Sequence, residues 1–144
     1  MKINQRTMFP FEIFDAVTAA QTHEERVKIL RDNQGFVLNT ILQAAFDPRI
    51  VFGLPEGAPP YQADDGDPAE SLNRLSTVVR ELPMLLANDK RIDMLRKETK
   101  FIGILESVNE RDAKIIIAMK DKKLTEICPE LTLDLVREAI PGVA

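Results

Sequence analysis

The sequence predicts an all-α fold: six or seven short helices in a compact bundle, interrupted by one long Pro/Gly-rich loop. Three observations predict it. Apolar residues recur at helical spacing in nearly every segment, cap and stop residues punctuate those segments, and no stretch alternates like a half-buried strand. With 144 residues, 44% apolar and 29% charged, the chain has the average composition of soluble proteins and is long enough to bury one core. A single helical domain over residues 1–144 follows, with N-terminal helices in 10–46, the loop at 47–68 and C-terminal helices in 69–142.

Pro10 suits a first helical position, and Phe11, Phe14 and Val17, with Ile13 beside them, follow at helical spacing. Thr22 and Glu25 have capping-box spacing for a second helix, in which Val27, Ile29 and Leu30 form the buried stripe and Asn33-Gln34-Gly35 supplies the stop. A third helix covers Phe36 to Phe46, with Val37, Ile41, Ala44 and Ala45 as its face, and Asp47-Pro48 ends it.

Residues 47–68 hold five of the nine prolines and three of the six glycines, a density that no regular helix survives. Ile50, Val51, Phe52, Leu54 and Tyr61 lie within this loop and are more apolar than a flexible linker requires. The expectation is a loop pinned onto the fold at 50–61, followed by a mobile acidic tip at Asp64-Asp65-Gly66-Asp67. A fourth helix then presents Leu72, Leu75, Val78, Val79 and Leu82 until Pro83 breaks or kinks it. Asn88-Asp89 caps a fifth over about 89–107, with Met94, Phe101, Leu105 and Val108 on its apolar face, Leu95 and Ile102 adjacent, and Arg91, Lys97 and Glu98 opposite. Asn109, with Asp112 three residues on, caps a sixth. Its Ile115-Ile116-Ile117 run is strand-like by propensity, but the capping signal and flanking charges favour a buried helix. Lys120 to Leu124 form a charged turn, and Thr132 caps a last helix through Leu133, Leu135, Val136 and Ile140 that Pro141-Gly142 ends.

The composition restricts the chemistry. One histidine, His23, and one cysteine, Cys128, exclude an intrachain disulfide and a Cys/His zinc site within one chain. His23 reads as a solvent-facing first-turn residue and Cys128 as a small buried hydrophobe in a reducing compartment. No phosphate-cradling glycine loop is present, and paired acids such as Glu24-Glu25 or Asp64-Asp65 are ordinary solvated charge. The acidic tip lacks the twelve-residue spacing of a calcium loop. Expected, then, are no catalytic residues, no cofactor and no metal, and with no run of about 18 apolar residues, no membrane partner.

Two surfaces remain. The apolar loop residues Ile50, Phe52, Leu54, Pro59, Pro60 and Tyr61 either lid the domain's own core or offer a low-entropy face to a protein partner, and self-association is a variant of the latter. The net charge of −4 is uneven: residues 51–88 carry −4 and 124–144 carry −3, while 89–123, with ten bases and seven acids, carry +3. That stretch offers Lys97, Lys100, Lys114, Lys120, Lys122 and Lys123 as phosphate contacts in an alternative, nucleic-acid-associated role. The last helix, with Asp134, Arg137 and Glu138, makes a poor recognition helix.

The strings Ala45-Phe46-Asp47-Pro48-Arg49-Ile50, Leu54-Pro55-Glu56-Gly57-Ala58-Pro59-Pro60-Tyr61, Phe101-Ile102-Gly103-Ile104-Leu105-Glu106 and Ala118 to Leu124, then Leu131-Thr132 and Val136-Arg137-Glu138-Ala139, occur in that order over roughly residues 10–142. In them the chain resembles a family of small uncharacterised proteins encoded by T4-like tailed phages, including cyanophages. The resemblance implies the cytoplasm of an infected bacterial host and brings no catalytic residues to carry over; a host or phage protein is the expected partner. The acidic Ile127-Cys128-Pro129-Glu130 stands where relatives are more basic. The expected function is therefore a non-enzymatic, phage-encoded interaction or regulatory protein, with a nucleic-acid accessory factor or a minor virion component as alternatives.

Overall fold

In the computed structural model, which describes residues 8–72 and 74–143, the chain is all-α. The helices are α1 (Pro10–Ala19), α2 (His23–Asp32), α3 (Phe36–Phe46), α4 (Leu75–Val78), α5 (Met94–Ser107), α6 (Glu110–Lys120), α7 (Leu124–Ile127) and α8 (Leu133–Ala139). The described residues thus hold eight α-helices, two of them single turns, rather than six or seven. Two 3-10 segments, Pro68–Glu70 and Val79–Leu85, complete the set. Among the described residues, extended pairing is confined to two isolated bridges, Phe52 with Leu86 and Asp64 with Asn109.

Side-chain caps set the helix starts. Thr22 accepts from the Glu25 amide at 3.1 Å, Asp93 from Arg96 at 2.9 Å, Asn109 from Asp112 at 2.9 Å and Thr132 from Leu135 at 3.2 Å. Each satisfies an amide that the first helical turn leaves without a partner. The fifth helix therefore begins at Asp93, not at Asn88-Asp89. Asp89 closes its own turn instead, taking both the amide and the guanidinium of Arg91.

α6 is the centre of the fold, packed against α1, α3, α5 and α7. A helix enclosed on several sides must be apolar on more than one face, which accounts for the isoleucine run: Ile115 and Ile116 are buried, and Ile117 packs half-buried against the core. Ala113 and Ala118 let neighbouring helices approach closely. Around this hub α2 packs on α1 and α8, and α3 presents Leu38, Ile41, Leu42, Ala44 and Ala45. Val37, expected in that face, is only half-buried, because the stripe is centred one position further on.

Burial expected at Leu72, Met94 and Leu95 fails. Leu72 is 84% exposed, since α4 begins only at Leu75. Met94 and Leu95 are exposed at the start of α5. Pro83 sits inside the 3-10 segment rather than ending a helix, and that segment buries Val79, Leu82 and Leu85. The acidic tip is also tethered: the Asp64 carbonyl accepts from the Glu110 amide at 2.9 Å, and its carboxylate accepts from the Ser71 hydroxyl at 2.8 Å.

Candidate functional site

The loop 47–62 is held to the helices by main-chain pairing and by lysine ammonium groups. The Gly53 amide donates to the Leu85 carbonyl at 2.8 Å and the Ala87 amide to the Val51 carbonyl at 2.8 Å, framing the bridge of Phe52 with Leu86. The backbones are so close that a Cβ at Gly53 would stand 3.1 Å from the Ala87 Cα, a crowded contact that glycine avoids. Gly57 adopts φ +90°, and its amide reaches the Asp121 carboxylate at 2.9 Å. Further along, the Gln62 amide donates to Glu106 Oε2 at 2.8 Å.

Three lysines act as hooks onto backbone carbonyls. Lys97 Nζ donates to the carbonyls of Leu86 at 2.6 Å and Asp89 at 2.7 Å. Lys120 Nζ donates to the Pro55 carbonyl at 2.8 Å, pairs with the Asp121 carboxylate, and lies 5.7 Å from the Phe101 ring centre. Lys122 Nζ donates to the carbonyls of Ala44 and Asp47 at the end of α3, where the exposed carbonyl dipoles favour a cation. Burial pushes the Lys122 ammonium below its ordinary value. Lys122 also has φ +60°, the left-handed position after α6 that glycine usually fills, and its amide and that of Lys123 return to the Met119 and Ala118 carbonyls. That conformation costs about 1–2 kcal/mol for a side chain with a Cβ, and the double hook onto α3 offsets it.

These hooks engage three of the six lysines expected as phosphate contacts. Lys97 and Lys120 are buried, with their charges spent on internal carbonyls. Lys122 is hooked to α3. The others form ion pairs: Lys100 with Glu81, Lys114 with Glu110 at 3.4 Å and Lys123 with Glu56 at 2.8 Å. Three of the six cations thus serve internal carbonyls and three sit in ion pairs nearer the surface, with Lys114 and Lys123 lining one shallow cleft.

The six loop residues divide similarly. Phe52 is buried at 9% exposure, so it belongs to the core and not to a contact surface. Ile50, Leu54 and Tyr61 are half-buried against the core, Pro59 is half-buried, and Pro60 is exposed. Burial and the carboxylate of Glu110 both raise the Tyr61 hydroxyl above its usual value. What the loop leaves open is a groove of about 340 Å³ between residues 54–60 and α5, walled by Leu54, Pro59, Pro60, Phe101 and Ile102. Its only charged lining groups are Glu56 and Glu98. Glu56 is held by Lys123, whereas Glu98 makes no ion pair or hydrogen bond among the described residues. Sequence reasoning missed Glu98. The available signal was its position three residues after Leu95 and four before Ile102, which puts it on their stripe rather than opposite.

The titratable groups elsewhere are structurally engaged. Burial raises the Asp112 carboxyl to about 6, while Asn109 Nδ2 at 2.9 Å and the Phe11 amide at 3.3 Å both donate to it. His23 pairs with Glu138 at 2.7 Å, joining α2 to α8. Cys128 is fully buried near the Thr18 hydroxyl, and burial pushes its thiol up. Among the described residues no three His, Cys, Asp or Glu side chains converge as metal ligands, and no helix is long and apolar enough to cross a membrane.

Residues 13–126 match the model of a family described as of unknown function, DUF6433. No curated protein and no solved structure matches the chain.

Proposed function

The chain belongs to the DUF6433 family, and from that premise we propose that it is a non-enzymatic interaction protein whose docking surface is the groove between residues 54–60 and α5. The observation that carries this reading is the way the groove is held. One wall is a loop whose carbonyls are hooked by Lys120 and, at its base, Lys122; the other is a two-sided helix of the core. A wall fixed in this manner loses little entropy when a partner docks, which favours binding by apolar contact. The groove volume lies at the small end of ordinary ligand sites, suited to a few partner side chains rather than a large cofactor.

Catalysis has no comparable support. The carboxyl shifted furthest towards neutrality, Asp112, is occupied by Asn109 and Phe11 and lines none of the clefts that include α6 residues. Nucleic-acid binding through 89–123 would have to draw on Lys100, Lys114 and Lys123, which already sit in ion pairs, because Lys97, Lys120 and Lys122 serve internal carbonyls. The resemblance to T4-like phage proteins supports a phage origin, a host or phage protein as partner, and the cytoplasm of the infected bacterium as the setting.

The test is affinity capture of the full chain from infected cells, comparing the native protein with Ile102→Ser. Ile102 is half-buried on the groove wall, so the variant should melt within about 3 °C of the native protein while losing its captured partner. Capture that persists undiminished with Ile102→Ser would refute the groove as the docking site.

A further inference from the structure

We propose that this groove selects a protein segment carrying Lys or Arg between apolar side chains, a specificity that rests on the docking reading above. Leu95, Glu98 and Ile102 are separated by three and four residues on α5, so they form one stripe, apolar–acidic–apolar, about 10 Å long. Leu95 lies just beyond the groove's lining on that stripe and is 72% exposed. Glu98 is the carboxylate left without a partner, and the only other charged lining group, Glu56, is also acidic. No basic side chain lines the groove. A segment with a cation opposite Glu98 gains a charge-assisted contact at a partly desolvated place, and a segment with an acid there meets repulsion.

The opposite wall disfavours another mode of recognition. Pro55, Pro59 and Pro60 have no amide hydrogen, and the Pro55 carbonyl is taken by Lys120. The loop is thus poor in backbone donors for pairing a partner as a strand, and selection falls chiefly to side chains. Complementarity to the α5 stripe asks for apolar residues flanking a base.

The experiment uses the full chain and two fluorescein-labelled 12-residue peptides. The first carries Leu at two positions seven apart with Lys at the third and fourth positions after the first Leu, on an Ala/Gln background; the second replaces both Lys by Glu. The Lys peptide should bind at least about fivefold more tightly in low salt, and the preference should shrink as salt screens it. Glu98→Lys, at an accessible helix position, should reverse the order of the two peptides, and Ile102→Ser should weaken both. Binding that depends on Ile102 but ignores peptide charge and Glu98→Lys would overturn the proposed selectivity while leaving the docking groove standing. Failure of both peptides to bind in an Ile102-dependent manner would overturn the docking reading itself. Self-association of the chain abolished by Ile102→Ser, seen by sedimentation, would assign the groove to a second copy and overturn the cationic-segment proposal.

Discussion

Replacing Lys120 by Met removes the hook on the loop while keeping most of the side-chain volume. The Lys120 side chain is 2% exposed and that of Asp121 9%, so the variant strands a carboxylate and the Pro55 carbonyl away from water. Breaking one side of a buried charge pair costs about 3–5 kcal/mol. Here Asp121 keeps the Gly57 amide at 2.9 Å, which places the expected loss near the lower end, about 3 kcal/mol. For a chain of this size each kcal/mol moves the melting temperature by about 2–4 °C, so Lys120→Met should melt about 10 °C below the native protein. The control is Lys114→Met on the same helix. Lys114 is 62% exposed and its ion pair with Glu110 is 3.4 Å long, which corresponds to about 0.5 kcal/mol or less. Both variants are measured by thermal unfolding followed by circular dichroism and by urea titration. If they melt within about 2 °C of each other, Lys120 is a surface charge with a buried stem and the account of the pinned loop is wrong.

Three further predictions rest on burial. Asp112 has a native pKa of about 6 against about 3.9 unfolded, so the native state holds its proton more tightly; its contribution is complete below about pH 4 and is lost as pH rises to about 6, some 3 kcal/mol in all. The stability difference between the native protein and Asp112→Asn, from urea titrations, should therefore shift by about that amount between pH 4 and 7.5, favouring the native protein at the acid end, and a constant difference would refute it. Arg49 and Arg91 hold Asp47 and Asp89 down to about 2, so those pairs survive the acid arm of the titration. Leu105→Ala, at a fully buried position, should cost about 2–5 kcal/mol in the same urea assay, whereas Leu72→Ser should stay within about 0.5 kcal/mol.

Much of the fold is legible in the residues because its punctuation is local. Thr22, Asn109 and Thr132 sit where an oxygen-bearing side chain must meet a free amide, and each caps a helix as its spacing implies. The start of α5 is not legible, since Asp89 and Asp93 are equally good caps by type. Only the Arg91 guanidinium, which engages Asp89 in its own turn, decides between them. Leu72 fails for a similar reason: the Pro68–Glu70 turn and the Ser71 hydroxyl on Asp64 occupy the chain that would have been the first turn of α4. The hooks are the largest gap. A lysine looks like surface charge by type, yet Lys97 lies four residues before Phe101 and Lys120 four after Ile116, both on core stripes. Spacing therefore held the information, but its use depends on carbonyls of a loop far away in sequence.

The central position of α6 has a consequence for how the chain acquires its fold. α1 and α3 both pack on α6, whose residues are translated roughly 65 to 110 positions later. At synthesis rates of about 5–20 residues per second, their apolar faces wait for several seconds before their native neighbour exists. The loop that separates them from α6 can be hooked only once Lys120 and Lys122 have emerged. Nucleation must therefore close long stretches of chain at once, a topology that slows folding more than the short helices alone suggest. During that interval the nascent N-terminal helices are the segment most exposed to chaperones and to misassociation.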